Sequence, residues 1–300
     1  MTDHLDERRT TLLAALALLS VTAMWGSTFF LTKDLLERVP TTDYLAVRFT
    51  IAALLVLALA PRSVARLAPD VRRHAVVLGI LYGIAQIVQT AGLAHTAASV
   101  SGFITGLYVV ATPLLAAVLL KARTTAWTWG AVVLATVGLG VLSLQGLAVG
   151  YGEALTFVSA ILYALHIVGL GAWSTPRDAL GMSALQLLVI AVVCWAATIH
   201  DGVVLPPTTQ DWVSVLYMAV FAGAGALLAQ TWAQAHLSPT RSAVIMSMEP
   251  VFAAFFAVWL GGESAGSRML LGGAMVLAAM LLVEAGPRRK IEGEVTHLSV

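Results

Sequence analysis

The sequence predicts an all-α integral membrane protein of ten transmembrane helices, arranged as two inverted repeats of five helices. Three observations predict this fold: a composition poor in charge, ten apolar segments with short breaks, and one stretch that occurs twice. Of the 300 residues, 59% are hydrophobic and 11% are charged, whereas a soluble domain is about a quarter charged. The chain has too little charge to cover a water-facing surface, which argues against two ordinary soluble domains.

Ten apolar segments have about the twenty residues that a helix needs to cross the hydrocarbon core of a membrane. Short breaks with proline, glycine or charge separate them, such as Val39-Pro40-Thr41 and Gly261-Gly262-Glu263. The first segment is too long for a signal-peptide core and ends in bulky residues, so we expect no cleaved leader. The predicted segments are 11–32, 43–61, 73–95, 99–120, 126–145, 151–172, 179–199, 211–235, 240–260 and 268–285.

The repeated stretch predicts the domain organisation. Gln89-Thr90-Ala91-Gly92-Leu93-Ala94-His95 reappears as Gln230-Thr231-Trp232-Ala233-Gln234-Ala235-His236, and each copy precedes a proline in an apolar segment, Pro113 or Pro250. Two matching blocks in one order indicate a duplication. Because five helices is an odd number, the second unit must run inverted relative to the first, which is typical of transporters. The predicted units are residues 11–145 and 151–285.

The positions of Lys and Arg predict the orientation. With the N-terminus inside, the outer side keeps Lys33, Arg38 and Arg268, and Arg48 lies within the second helix. We therefore expect a multi-pass protein of the cell inner (plasma) membrane with both termini in the cytoplasm. The basic residues placed on the inner side are Arg8, Arg9, Arg62, Arg66, Arg72, Arg73, Lys121, Arg123, Arg177, Arg241, Arg288, Arg289 and Lys290.

Polar residues recur at helical spacing inside five of the apolar segments. Residues three or four apart lie on one face of a helix, and polar groups in hydrocarbon tend to face the bundle interior or a wet cavity. The alternative is hydrogen bonding between helices without any ligand. The stripes are Tyr82, Gln86 and Gln89; Thr105, Tyr108 and Thr112; Thr156, Ser159, Tyr163 and His166; Gln230 and Gln234; and Ser242, Met246 and Glu249.

We predict that these stripes form a central cavity of amide, hydroxyl and aromatic groups. Trp25 lies deep enough in the first segment to be a cavity wall rather than a residue of the interfacial belt. Glu249, in the middle of a segment, could bind a proton or a substrate amine, or stay protonated and hydrogen-bonded. The predicted substrate-binding residues are Trp25, Tyr82, Gln86, Gln89, Tyr108, Tyr163, His166, Gln230, Met246 and Glu249.

Arg48 is expected to serve structure rather than binding. It would pair with Asp34, Glu37 or Asp43 near the outer surface, or extend its side chain to that surface. The central stripes would then contain no cation, which argues against phosphorylated substrates.

Pro113 and Pro250 occupy corresponding positions near the middle of segments four and nine. A proline within a helix removes a backbone hydrogen bond and clashes with the preceding turn. Symmetric breaks at this depth are typical of binding and bending sites in inverted-repeat transporters. We predict that both prolines are hinges, with a static kink as the alternative.

Several short motifs follow one another in a fixed order along the two halves. They are Trp25-Gly26-Ser27 with Lys33, Arg48-Phe49, Pro113, Pro250, Glu263 and Gly273-Ala274. In this order the chain resembles the EamA family of the drug/metabolite transporter superfamily over about residues 12–285. The first half departs from the pattern, because Lys121-Ala122-Arg123 has no acid where Glu263 stands in the second. The resemblance implies alternating-access transport of small metabolites, most often export, with amino acids prominent.

We therefore expect an alternating-access exporter of small neutral or zwitterionic metabolites, with amino acids first, including aromatic and hydrophobic ones. The alternatives are a multidrug efflux protein for lipophilic cations, for which Glu249 would serve, and a passive channel. A G-x-S-x-G match at 262–266 lies between two apolar helices instead of a strand and a helix, so no enzyme is expected.

The expected partners are a small-molecule substrate and the lipid bilayer. Nucleic acid is not expected as a partner, and we expect a monomer. Neither a cofactor nor a metal is expected, because Cys194 is the single cysteine and excludes any multi-cysteine site.

Overall fold

The chain folds into helices over almost all of the residues that the structure describes. This computed structural model describes residues 2–121, 126–145, 148–198, 202–237, 242, 245–246 and 248–285. A π-helical turn, Val220–Gly225, joins α9 to α10, and a two-residue antiparallel ladder pairs β1, Leu144–Gln145, with β2, Ala148–Val149. The α-helices are α1 Thr2–Leu35, α2 Thr41–Leu59, α3 Pro69–Ala94, α4 Ala98–Thr105, α5 Tyr108–Leu119, α6 Ala126–Ser143, α7 Tyr151–Trp173, α8 Ala179–Thr198, α9 Thr209–Ala219, α10 Ala226–Gln234, α11 Glu249–Trp259 and α12 Ser267–Ala285.

The prediction of an all-α membrane protein is confirmed. Seven helical stretches are long and apolar enough to cross a membrane, and they lie in seven of the predicted segments. Shorter apolar helices, Trp129–Gly138, Glu249–Trp259 and Ser267–Ala279, lie within the other three segments. The β ladder was not predicted; it lies in the connection between the two halves. The seven stretches are Arg9–Leu35, Thr41–Leu59, Pro69–Ala94, Ala98–Leu119, Tyr151–Trp173, Ala179–Thr198 and Thr209–Gln234.

Helices of one half pack mainly against helices of the other. The pairs are α2 with α8, α4 with α11 and α6 with α12. In addition, α3 packs against α7 and α8, and the segment formed by α9, the π-helical turn and α10 packs against α1 and α2. The helices in each of the first three pairs occupy the same position in their own halves. Two halves related by a twofold axis would produce this pattern of contacts.

The two prolines predicted as hinges lie at different positions in their helices. Segment four is interrupted before Tyr108, where the N–H of Leu107 donates to the carbonyl of Ile104 at 3.1 Å in a tighter, i to i−3 turn. Pro113 lies inside α5, beyond that interruption. Pro250 is the second residue of α11, where the N–H that proline lacks would have no partner within the helix.

Small residues allow α1, α4 and α11 to approach closely. A Cβ atom added at Gly26 would lie 2.5 Å from the Cβ of Phe252, and one added at Gly102 would lie 2.5 Å from the Cβ of Ala253. Both distances are far shorter than van der Waals contact. These glycines are therefore required by the packing, as is common where membrane helices cross closely.

The turn between α3 and α4 is held by side chains from both halves. Lys33 Nζ donates to the carbonyls of Leu93 at 2.9 Å and Ala94 at 3.0 Å, at the end of α3. The carboxylate of Glu263 accepts from the N–H of Ala98 at 2.6 Å, at the start of α4. A cation at the C-terminus of a helix and an anion at the N-terminus both interact favourably with the helix dipole.

A salt bridge ties the end of α1 to the start of α9. Arg38 Nη2 lies 2.7 Å from Asp211 Oδ1 and also pairs with Asp34. Hydrogen bonds to Asp34 and Asp211 raise the pKa of the Arg38 guanidinium above its usual range. This end of the bundle is therefore joined by polar contacts at two places, the α3–α4 turn and Arg38.

Candidate substrate-binding site

A cavity lies in the middle of the helix bundle, between the two halves of the chain. The empty space among its lining side chains, including open solvent at its mouth, is about 580 Å³. All ten residues predicted from the sequence lie around it. The lining residues are Trp25, Thr28, Phe29, Thr32, Arg48, Tyr82, Gln86, Gln89, Thr90, Leu93, Thr105, Tyr108, Tyr163, His166, Ile167, Gln230, Met246 and Glu249.

The two halves contribute residues at corresponding positions. Gln89 and Gln230 are the first residues of the two copies of the repeated stretch, and both line the cavity. A constant offset also relates three residues of α1 to three residues of α7. Trp25, Thr28 and Phe29 lie 138 residues before Tyr163, His166 and Ile167.

One wall of the cavity is aromatic. The ring of Tyr82 contacts Tyr163 and His166 edge to face, with centroids 5.4 Å and 4.9 Å away. Phe49 contacts Tyr82 from the other side at 6.4 Å. Edge-to-face pairs of this kind fix the orientation of the rings. The wall therefore presents a rigid surface on which an apolar or aromatic group can lie.

Amide and hydroxyl groups beside this wall are joined across helices. The Tyr163 hydroxyl donates to Gln89 Oε1 at 2.8 Å, and Gln89 Nε2 donates to Thr105 Oγ1 at 3.0 Å. His166 Nε2 lies 2.8 Å from Gln186 Oε1 on α8. These residues thus connect helices as well as lining the cavity, so the alternative of hydrogen bonding between helices describes part of their role.

Trp25 forms part of the wall, as expected, and is fixed by a feature that the sequence did not indicate. Its indole Nε1 donates to the carbonyl of Ala222 at 2.8 Å. Ala222 lies in the π-helical turn, and such turns are often found at functional sites. The turn therefore helps to set the position of the indole.

Glu249 is buried at the first position of α11, with 4% of its surface exposed. The Tyr108 hydroxyl lies 3.0 Å from Glu249 Oε2 and 2.8 Å from the carbonyl of Met246. Oε1 has no hydrogen-bond partner among the residues that the structure describes. Of the two carboxyl oxygens, only Oε2 is therefore hydrogen-bonded within the described part of the protein.

Gln230 brings an unpaired acceptor to the same cavity. Its Oε1 is buried and has no hydrogen-bond partner in the described part of the chain, and its Nε2 lies 4.0 Å from the sulfur of Met246. An unpaired buried polar atom is costly and is rare in folded proteins. Gln230 Oε1 is therefore a candidate contact for a donor group of a ligand.

Arg48 lines the cavity, whereas the sequence indicated a position near the outer surface. It is 4% exposed, its Nε donates to the carbonyl of Met218 at 3.2 Å, and its Nη1 donates to the Tyr44 hydroxyl at 3.0 Å. Its guanidinium lies 5.1 Å from the centroid of the Phe49 ring, within the range of a cation–π contact.

Two of the three acids expected to pair with Arg48 are bound elsewhere. Asp34 pairs with Arg38, and Asp43 Oδ2 accepts from the N–H of Val204 at 2.8 Å. Within the ranges described, no carboxylate forms a salt bridge with Arg48. The expectation that the central cavity lacks a cation is therefore wrong, and the argument against phosphorylated substrates loses its basis.

The described residues contain no group of three or more His, Cys, Asp or Glu side chains that could hold a metal ion. The cavity offers one aromatic wall, several amides and hydroxyls, one guanidinium and one carboxyl group.

The chain matches a known family in both halves. The model of the family described as "EamA-like transporter family" matches residues 12–144 and 150–285. A protein of Archaeoglobus fulgidus named "Uncharacterized transporter" is 28% identical over 276 residues, covering 91% of this chain and 86% of that protein. The "Uncharacterized inner membrane transporter YedA" of Escherichia coli K12 is 25% identical over 279 residues and 90% of each chain.

The fold also matches a solved structure. A chain described only as "Crystal structure of protein" superimposes with a TM-score of 0.68 and 17% sequence identity, covering 90% of this chain and 95% of that chain. At this identity the match supports the fold alone.

Proposed function

The chain belongs to the EamA-like transporter family, and on that premise we propose that it exports small zwitterionic metabolites, amino acids first, by alternating access. The observation that supports this most is the cavity, which lies in the middle of the apolar helices and is lined by both halves. Its aromatic wall suits an apolar side chain, and its amides, hydroxyls and charged groups suit a hydrogen-bonding head group. Amino acids combine both features in one small molecule.

The inverted duplication is part of this proposal. It is supported by the two family matches and by the cavity residues at corresponding positions. It is also supported by the packing of each helix of one half against helices of the other half. In transporters built from inverted repeats, one unit rocks against the other around a central site. The two halves here would open the cavity alternately to each side of the membrane.

The chain is a multi-pass membrane protein, and we place it in the inner membrane with both termini in the cytoplasm. The location is supported by the name of its Escherichia coli relative, and the orientation by the distribution of Lys and Arg. A periplasm-active reporter fused after Arg289, which is outside the described residues, should be inactive. Reporter activity there would reverse the orientation. We also propose that the protein acts as a monomer.

Export of lipophilic cations is the second candidate function, because Glu249 offers a buried carboxyl group. Arg48 in the same cavity argues against it, since a second cation would be repelled at close range in a medium of low dielectric constant. A passive channel is the third candidate. A channel would not show counterflow, in which unlabelled substrate on one side drives labelled substrate inward from the other.

The proposal is tested by counterflow in liposomes that contain the purified protein. Vesicles loaded with one unlabelled amino acid should transiently accumulate the labelled form, at a rate that saturates, and empty vesicles should not. The panel should cover aromatic, aliphatic, acidic and basic amino acids, with tetraphenylphosphonium as a lipophilic cation. Movement of the cation with no amino acid moved would reject the proposal in favour of cation efflux.

A further inference from the structure

We propose that Arg48 and Glu249 bind the two charged ends of the substrate, the guanidinium taking its carboxylate and the carboxyl group of Glu249 its ammonium group. This inference rests on the proposed function and adds to it a chemical orientation of the bound molecule. It also makes Arg48 a residue that determines specificity, although the sequence indicated a structural role.

The burial of the two groups is the first argument. Arg48 and Glu249 are each 4% exposed and both line the cavity. Charged side chains within membrane-spanning helices are expensive and tend to be kept for function. Within the described residues neither group forms a salt bridge. A zwitterion would supply the opposite charge to both at once.

The second argument is that each group has atoms left for a ligand. Arg48 uses Nε and Nη1 for protein contacts, and its Nη2 has no hydrogen-bond partner in the part of the chain that the structure describes. A guanidinium has five N–H donors, so it can take a carboxylate while it keeps these contacts. Glu249 Oε1 is free in the same sense, because of the two carboxyl oxygens only Oε2 lies within hydrogen-bond distance of the Tyr108 hydroxyl.

Gln230 supplies the third argument. An ammonium group has three donors, and a single carboxylate oxygen cannot accept from all of them in good geometry. Gln230 lines the same cavity as Glu249, and its Oε1 is buried and unpaired within the described residues. Binding of an ammonium group would give this buried oxygen the donor that the protein does not provide.

The aromatic wall completes the site. Phe49 contacts both the Arg48 guanidinium and the Tyr82 ring, so the cation and the wall are neighbours. A substrate whose carboxylate reaches Arg48 would thus have its side chain close to Tyr82 and Tyr163. Molecules that lack one charge would leave a buried group unpaired, which is how polar sites reject analogues.

The test uses wild-type protein and four matched compounds. Phenylalanine, its amide, its N-acetyl derivative and phenethylamine share one side chain and differ only in the charged groups. They compete with a labelled amino acid in the counterflow assay. We expect phenylalanine to compete best, and each analogue to compete at least about tenfold more weakly, since a hydrogen bond to a charged group is lost in each case.

Two variants then assign each charge to its residue. In Arg48→Gln the preference for phenylalanine over its amide should fall to about twofold or less, while the preference over the N-acetyl derivative remains. In Glu249→Gln the pattern should reverse. Arg62→Gln is the control, because it makes the same substitution at an exposed arginine that does not line the cavity; it should leave both preferences unchanged.

The outcomes separate this inference from the proposed function. If the wild type moves amino acids but does not distinguish phenylalanine from its amide, Arg48 is no carboxylate site and the inference is overturned alone. The same holds if Arg48→Gln is folded and keeps the full preference. If the wild type moves no amino acid, the proposed function fails and the inference fails with it.

Discussion

The indole Nε1 of Trp25 donates a hydrogen bond of 2.8 Å to the carbonyl of Ala222, so that α1 of the first half is bonded to the π-helical turn of the second. The contact is buried beside the cavity. A second indole hydrogen bond of the same length, from Trp195 Nε1 to Thr50 Oγ1, lies on an exposed face of the bundle. The same type of hydrogen bond therefore occurs once beside the cavity and once away from it.

This pair gives the first prediction. Trp25→Phe removes the donor and leaves the buried carbonyl of Ala222 unpaired, which should cost about 1–3 kcal/mol of stability. It also changes the cavity wall, so counterflow should slow severalfold. Trp195→Phe removes a bond of equal length away from the cavity and should leave the counterflow rate unchanged. Equal effects of both variants on transport would show that Trp25 is not part of the site.

The second prediction concerns the hydroxyl of Tyr163. Tyr163→Phe keeps the ring in the aromatic wall but removes the donor to Gln89 Oε1. Loss of this hydrogen bond should cost about 0.5–1.5 kcal/mol of stability. Because this bond also orients the Gln89 amide at the cavity, substrate affinity should fall severalfold, read from the concentration dependence of counterflow. Tyr151, which is 68% exposed, gives the control Tyr151→Phe. An affinity unchanged in Tyr163→Phe would leave this hydrogen bond without a role in binding.

The third prediction tests the close packing of α4 on α11. Gly102→Ala would place a Cβ atom 2.5 Å from that of Ala253 and should destabilise the protein by about 1–3 kcal/mol. Adding Ala253→Gly removes the opposing atom, so the double variant should recover most of the loss in a thermal melt in detergent. Gly266→Ala, where an added Cβ meets no atom within 4 Å, should be neutral. Additive losses in the double variant would contradict the packing described.

The fourth prediction concerns the helix cap made by Glu263. Glu263→Ala leaves the first N–H groups of α4 without their acceptor and should cost about 1–2 kcal/mol, as loss of an N-cap does. Glu263→Gln keeps an acceptor oxygen but loses the charge, so its stability should lie between that of the wild type and that of Glu263→Ala. Ser264→Ala, next in the same exposed loop, is the control. Identical melting temperatures for all three variants would mean that the cap contributes nothing to stability.

The fifth prediction returns to the prolines. If segments four and nine bend during transport, spin labels at their ends should report two distances whose populations shift when substrate is added. Pro113→Ala restores a backbone donor inside α5 and should favour one population and slow counterflow. Pro250→Ala should have the smaller effect, because Pro250 lies in the first turn of α11. Unchanged distances and rates in both variants would leave the prolines as static packing elements.

The sequence was sufficient to predict the helices and the cavity residues because both follow from short-range regularities. Tyr82, Gln86 and Gln89 are spaced four and three residues apart, which places them on one face of a helix. Glu249 and Gln230 are polar groups within apolar segments, where a lipid-facing position is costly. Neither inference depends on knowing which helices are neighbours.

The features that were missed depend on neighbours. The sequence indicates the outer surface for Arg48 because an arginine side chain is long enough to reach it. Only the packing of α2 on α9 shows that Met218 of α9 and Tyr44 of α2 itself bind Arg48 at the cavity. The cap on α4 joins Glu263 to Ala98, 165 residues apart, and no local pattern indicates such a pair. The π-helical turn at 220–225 also has no signature in its composition.

The contacts at the α3–α4 turn have a consequence for how easily the bundle can open at that end. Lys33 and Glu263 bind backbone carbonyl and N–H groups at helix ends, and these are groups that water satisfies almost as well. Leu93 and Ala98, which make these contacts, are also buried in an apolar cluster with Phe29, Ala253 and Ala257. On the proposal of alternating access, the cost of opening this end would therefore come mainly from exposing that apolar cluster to water, and less from separating the polar contacts of Lys33 and Glu263.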